Sequence, residues 1–256
     1  PNFVEFSGGT PKYVNVDEHS GFQFTPDSLR EAVGPATAGV LLNSPSNPAG
    51  TVLGADVLKA AAGLGVPIVS DEIYHGLVYK GESPSILEFT PDAFVINGFS
   101  KLYAMTGWRV GYVIAPVPCV RTMQKLQQNF FISANSFVQW AAIAAFKETK
   151  QEVEHMVHTY GVRRQFIVDE LRAMGFSIPN EPTGAFYVFL NAKHIDTDSY
   201  RLAFDILEKA KVAVTPGIDF GSNGEGHIRL SYANSMENIA EGMRRLKKYL
   251  QDRGVL

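Results

Sequence analysis

Two cations stand eight residues apart in the run NGFSKLYAMTGWRVGYV (97–113), whose other residues are all neutral. A surface loop would carry more charge and a buried strand none, so Lys101 and Arg109 need a chemical reason to be there. Other polar residues occupy comparable places. Asn47 follows the apolar run AGVLL, Asp71 and Tyr74 follow VPIV, and Ser100 and Lys101 follow AFVI.

These types suit one kind of ligand. A lysine among apolar neighbours has a lowered pKa if it is buried, and a neutral amine is the form that attacks an aldehyde. An aspartate at the next strand end can hold a protonated ring nitrogen. Tyrosine and asparagine can hold a phenolic oxygen, and arginine with serine a phosphate. Pyridoxal phosphate presents all of these groups. Singly, each residue has an ordinary alternative: Asp71 as a cap, Tyr74 as a rim aromatic, Lys101 as a solvated loop lysine. Three successive strand ends with complementary groups favour the shared ligand.

The elements that would position them alternate. Short apolar runs at 38–43, 66–71, 93–98 and 110–116 are separated by helical patterns, and PKYVNV (11–16) is strand-like as well. Thr25 and Pro26 supply an N-cap and first helical residue for 25–33. Such a series predicts an α/β fold with a mostly parallel sheet covered by helices on both faces. Ligands of such sheets bind beyond the carboxyl ends of the strands. After Pro118 the pattern becomes helical through 148, with a further helix over 149–174. Strand material at 177–191, 212–217 and 224–233 and helices over 199–210 and 236–250 predict a smaller α+β unit. The boundary is expected within helix, giving units 1–148 and 149–256.

Composition sets the limits. The chain has 256 residues, 45% hydrophobic and 19% charged, with net charge −3. No basic cluster points to nucleic acid, and no apolar run is long enough for a membrane span. One cysteine, Cys119, suits a reducing cytoplasm. His155 and His158 lie near Glu152 and Glu154 on a helix, where a solvated face is the better reading than a metal site. His75 is a pocket or rim residue, and Phe186 a pocket or core residue.

Four stretches in order, NSPSNPAGTV, VSDEIYHGLVY, NGFSKLYAMTGWRVGYV and GHIRLSYA, resemble the motifs of class I/II aminotransferases, pyridoxal-phosphate enzymes of the aspartate aminotransferase fold. The resemblance runs essentially from residue 1 to residue 256. It implies that Lys101 bonds to the cofactor aldehyde and shuttles the substrate proton. Asp71 would pair with the ring nitrogen, and Asn47 and Tyr74 with the 3′-oxygen. Arg109, helped by Ser100, would hold the phosphate, and Arg229 would bind the substrate carboxylate, with Asn47 beside it. Gly98 replaces a serine that some members use for the phosphate. The family's phosphate loop and ring-stacking aromatic have no counterpart in these residues, so an N-terminally truncated chain is expected.

The expected reaction is amino transfer between an amino acid and a 2-oxo acid, by a homodimer in the cytoplasm. Carbon–sulfur lyase or aminocyclopropane-carboxylate synthase chemistry on the same fold is the alternative, as is an inactive remnant.

Overall fold

The computed structural model describes residues 1–256. Four strands, β1 (Val40–Asn43), β2 (Ile68–Asp71), β3 (Ala93–Gly98) and β4 (Gly111–Ile114), form one sheet in that order. The first three run parallel and β4 returns antiparallel to β3. Register aligns the strand ends: Asn43 lies opposite Asp71, and Asp71 opposite Ile96. Groups leaving these ends are therefore about 5 Å from strand to strand.

Helices α2 (Pro26–Ala32) and α3 (Ala55–Ala62) cover one face of this sheet. Thr25 caps α2 as its sequence predicts, accepting from Ser28 N at 3.1 Å, with Pro26 in the first turn. Leu29, Val57, Leu58 and Ala61 pack there on Leu42, Ile68 and Val95. The opposite face is less covered than expected. Leu41 is 66% exposed and Ile96 and Val113 each 43%. Helix α5 (Ser136–Glu148) closes only its far end, where Ala142 and Ala145 meet Phe99. Helix α4 (Val117–Phe131) precedes it and has no buried residue.

The second sheet is antiparallel. β5 (Tyr187–Asn191), β7 (His227–Ser231) and the two-residue β6 (Thr215–Pro216) lie in the order β5-β7-β6. Helices α6 (Lys150–Ala173), α7 (Ser199–Ala210) and α8 (Met236–Asp252) pack on it through Ile167, Leu171, Leu202, Ile206, Leu246 and Leu250. Asp198 and Ser235 cap α7 and α8 by accepting from backbone N–H groups.

Two expectations are corrected. Residues 11–16 form no strand, and the chain start is instead a short helix, α1 (Asn2–Phe6), followed by extended chain. The strand expected at 212–217 is reduced to Thr215–Pro216 because a 3₁₀ turn begins at Gly217. Pro216 also offers no N–H to a ladder.

The extended chain straps the second sheet. Val16 O accepts from Asn223 Nδ2 at 2.9 Å, and Glu18 accepts from Asn191 Nδ2 at 2.5 Å. Glu18 also lies 3.2 Å from His227 Nε2, and the Phe22 ring packs 4.9 Å from that of Phe189. Main chain joins the two sheets too. Gly50 O accepts from Thr183 N at 2.9 Å and Gly184 N at 2.8 Å, and Leu77 O accepts from Ala185 N at 2.9 Å.

Candidate active site

Asp71 ends β2 half-buried. Its Oδ1 accepts from Ile73 N at 3.2 Å, and Oδ2 takes no hydrogen bond. Burial pushes the carboxyl above the ordinary aspartate range, and the Ile73 N–H and the Lys101 charge pull it partly back. A cationic partner on Oδ2 would offset that burial. Asn43, at the neighbouring strand end, donates to Asp71 O at 3.1 Å and accepts from Asn47 N at 2.9 Å. It ties the Asp71 strand to the loop that carries Asn47, in which Ser44–Pro45 and Asn47–Pro48 are cis.

Lys101 lies three residues beyond β3, half-buried. Its Nζ is 5.6 Å from the Tyr74 ring centre and 5.8 Å from that of Phe186. Phe186 is thus at the site as well as in the packing. The Tyr74 hydroxyl lies 2.9 Å from that of Tyr187 on β5. Burial, then this bond, holds the Tyr74 pKa far above its ordinary value, so the phenol stays protonated. Two buried phenols bring two protons to a single hydrogen bond. One proton is therefore left for an acceptor from outside the chain.

Arg229 on β7 reaches across the sheets. Nη1 donates to Asn47 Oδ1 at 2.6 Å and Nη2 to Thr215 Oγ1 at 3.0 Å. The guanidinium lies between the rings of Tyr187, 4.3 Å away, and Phe220, 4.8 Å away. Its Nε is buried without a partner. One hydrogen on each terminal nitrogen remains, which is an end-on fork for a carboxylate.

Lys101, Asp71, Tyr74, Asn47 and Arg229 therefore form one cluster. Arg109 and Ser100 are joined to it by no hydrogen bond. Arg109 is exposed, has a left-handed backbone with φ 53°, and donates to Thr106 O at 2.9 Å. It lines an open cavity of about 890 Å³ with Trp108, Phe131 and Phe137. Ser100 is half-buried in the bend that follows β3. Gly98 has a steric reason. A Cβ there would lie 3.0 Å from Gly111 Cα and 3.2 Å from Val110 O, so a serine would be tight against the β3–β4 pairing and would need β4 to give by a few tenths of an ångström.

His75 turns to a separate buried carboxylate. Its Nδ1 is 3.3 Å from Glu72 Oε2, while Glu72 Oε1 accepts from Ser70 Oγ, Ser85 Oγ and Ile86 N. That network fixes the connection after β2 and leaves Asp71 as the site's carboxylate. Sequence reasoning missed Tyr187, Thr215 and Phe220. Their partners are remote in the chain, and only the pairing of β6 with β7 places Thr215 beside Arg229.

A mostly parallel sheet with a lysine, an aspartate and an asparagine beyond its strand ends, joined by an arginine from a second sheet, defines a class of enzyme site. The profile of the family described as aminotransferase class I and II matches residues 1–246. The chain is 44% identical over 253 residues to a (5-formylfuran-3-yl)methyl phosphate transaminase of Methanocaldococcus jannaschii, covering 97% of this chain and 65% of that protein. It is 38% identical over 270 residues to an aspartate aminotransferase of Geobacillus stearothermophilus, covering 99% and 67%. The structure of an aromatic aminotransferase from Pyrococcus horikoshii superposes with a TM-score of 0.92 at 34% identity, over 99% of this chain and 70% of that one. That of the Thermus thermophilus aspartate aminotransferase with maleate gives 0.92 at 37%, over 97% and 66%. The chain belongs to the class I and II aminotransferase family, and it spans about two thirds of the length of these relatives.

Proposed function

We propose that this chain carries the active site of a pyridoxal-phosphate-dependent aminotransferase, which exchanges an amino group between an amino acid and a 2-oxo acid. The observation that carries this is the convergence of Asp71, Tyr74, Lys101, Asn47 and Arg229 beyond the aligned ends of β1, β2 and β3. The free Asp71 Oδ2 and the surplus phenol proton fit a ring that brings an N–H donor and an oxygen acceptor.

The cofactor, when bound, supplies an electron-withdrawing ring that stabilises negative charge on the substrate Cα. The chain supplies the rest. Lys101 Nζ would hold the cofactor through its aldehyde carbon and would take up and return the proton at the substrate Cα. The Tyr74 and Phe186 rings, packed edge to face on one side of it, keep water from that side. Asp71 would keep the ring nitrogen protonated, and Tyr74 and Asn47 Nδ2 would donate to the ring oxygen. Arg229 holds the substrate carboxylate. Arg109, with Ser100, is assigned the phosphate, on the strength of its charge and its position after β3.

Residues 1–148 and 149–256 are read as two units, each with its own sheet. A homodimer is supported by apolar side chains presented on α4 and α5: Val117, Phe130, Phe131 and Trp140 are 70–85% exposed. A cytoplasmic setting is supported by the lone, half-buried Cys119.

The test is Lys101→Ala in the protein that carries this chain. Borohydride fixes the cofactor to the parent and not to the variant, and amino transfer to an added 2-oxo acid is lost. Turnover at the parental rate in the variant would overturn the assignment. Ammonia release without transfer in the parent would show lyase chemistry instead.

A further inference from the structure

Tyr187 stands between the two halves of the site and has a role in neither of the assignments above. Its hydroxyl is 2.9 Å from the Tyr74 hydroxyl, and its ring is a platform 4.3 Å from the Arg229 guanidinium. It is 7% exposed, and Tyr74 3%. We propose that Tyr187 is a positioning residue that couples the carboxylate-binding arginine to the phenol facing the cofactor's ring oxygen. This rests on the site assignment under Proposed function.

The direction of the phenol–phenol bond follows from hydrogen-bond accounting. The Tyr187 hydroxyl has Tyr74 as its sole hydrogen-bond partner. If Tyr74 donated, the Tyr187 proton would be buried with no acceptor, at the end of the pair away from Lys101. With Tyr187 donating, both protons are used: the first goes to Tyr74 Oη, and the second, on Tyr74, is free for the ring oxygen. An O–H group whose oxygen already accepts a hydrogen bond is a stronger donor. Tyr74 therefore grips a deprotonated ring oxygen more firmly with Tyr187 behind it than alone.

Arg229 sets the strength of that support. A guanidinium on the Tyr187 ring face withdraws charge from the phenol and sharpens its O–H as a donor. A carboxylate that neutralises Arg229 weakens this pull and relaxes the donation from Tyr74. Occupancy of the carboxylate site is thereby transmitted to the ring oxygen through one side chain. The charged groups around this pair are Asp71, Lys101 and Arg229, and all three are unchanged by substitution at Tyr187.

Tyr187→Phe removes the hydroxyl and keeps the platform; Tyr187→Leu removes both. The readouts are the pH titration of the bound cofactor's visible absorbance, and KM and kcat for an amino acid that the parent turns over. Loss of one supporting hydrogen bond raises the titration midpoint by about half a pH unit to one unit in both variants. In a Tyr74→Phe background, Tyr187→Phe adds no further shift. KM rises about tenfold in Tyr187→Leu, which loses the platform under Arg229, and stays within about twofold in Tyr187→Phe. A Tyr187→Phe protein that titrates like the parent overturns the proposal. So does a shift that persists without the Tyr74 hydroxyl, or a KM that rises equally in both variants. A parent with no cofactor absorbance and no borohydride-fixed adduct would instead overturn the site assignment itself, and the proposal with it.

Discussion

Arg229 Nη1 donates to Asn47 Oδ1 at 2.6 Å across 182 residues of chain. The bond joins the second sheet to the loop beyond β1. The residue assigned to the substrate carboxylate thus touches one assigned to the cofactor's ring oxygen. Only the amide nitrogen of Asn47 remains for a further acceptor.

Replacing Arg229 by lysine tests whether this contact and the fork matter or charge alone does. A lysine ammonium cannot donate to Asn47 and Thr215 while offering two parallel N–H groups. Arg229→Lys is expected to raise KM for the amino acid about ten- to a hundredfold, with a smaller change in kcat. Steady-state kinetics on an amino acid and on its decarboxylated amine check it, since the amine should not discriminate the variant from the parent.

Asp71→Asn removes the charge and keeps the shape. With no carboxylate to hold the ring proton, kcat is expected to fall about 10²–10³-fold while the cofactor still attaches to Lys101. Single-turnover absorbance changes, together with the borohydride-fixed fraction, separate the two effects.

Glu181 gives a pH prediction away from the site. Hydrogen bonds from Arg164 and Arg172 hold its pKa down at about 2, below its ordinary 4.5. A depressed carboxyl stabilises the fold above the unfolded-state pKa, and this contribution disappears as pH falls from about 4.5 through 2. Glu181→Gln is expected to cost about 2 kcal/mol at pH 7, because the buried Arg164 loses its anion, and progressively less toward pH 2. Urea titrations across that range measure the difference.

Gly50 is expected to tolerate no side chain. Its φ is +68°, and a Cβ would lie 2.7 Å from Pro182 Cβ and 2.9 Å from Gly184 O. Gly50→Ala should destabilise by about 3 kcal/mol, combining left-handed strain with overpacking. Because Asn47 is in the same turn, cofactor affinity should fall alongside the melting temperature.

The local devices of this fold are written where they act. Thr25, Ser28 and Pro26 start α2 within four residues, and AFVING coincides with β3. Asn47, Asp71, Tyr74 and Lys101 were legible because each follows an apolar run that ends at one sheet edge. PKYVNV misled because β-branched and aromatic alternation signals a half-buried extended chain, which this segment is, without a neighbouring strand to pair with. The Asp71–Glu72 pair had a usable signal in the alternation of side-chain direction, which sends adjacent residues to opposite faces. Tyr187 had none, since its meaning lies in a contact with a residue 113 positions away.

The strap formed by Val16, Glu18 and Phe22 makes the structural parts of this molecule differ from intervals of its sequence. A cut between residues 148 and 149 would leave Glu18 and Phe22 on one piece and their partners His227, Asn191 and Phe189 on the other. The C-terminal piece would expose a histidine and an aromatic side chain that the intact chain buries. Any rotation of the second sheet against the first must carry these early residues with it or break their bonds. The hinge for such a motion would therefore have at least two crossing points, one near Thr149 and one between Phe22 and the start of α2.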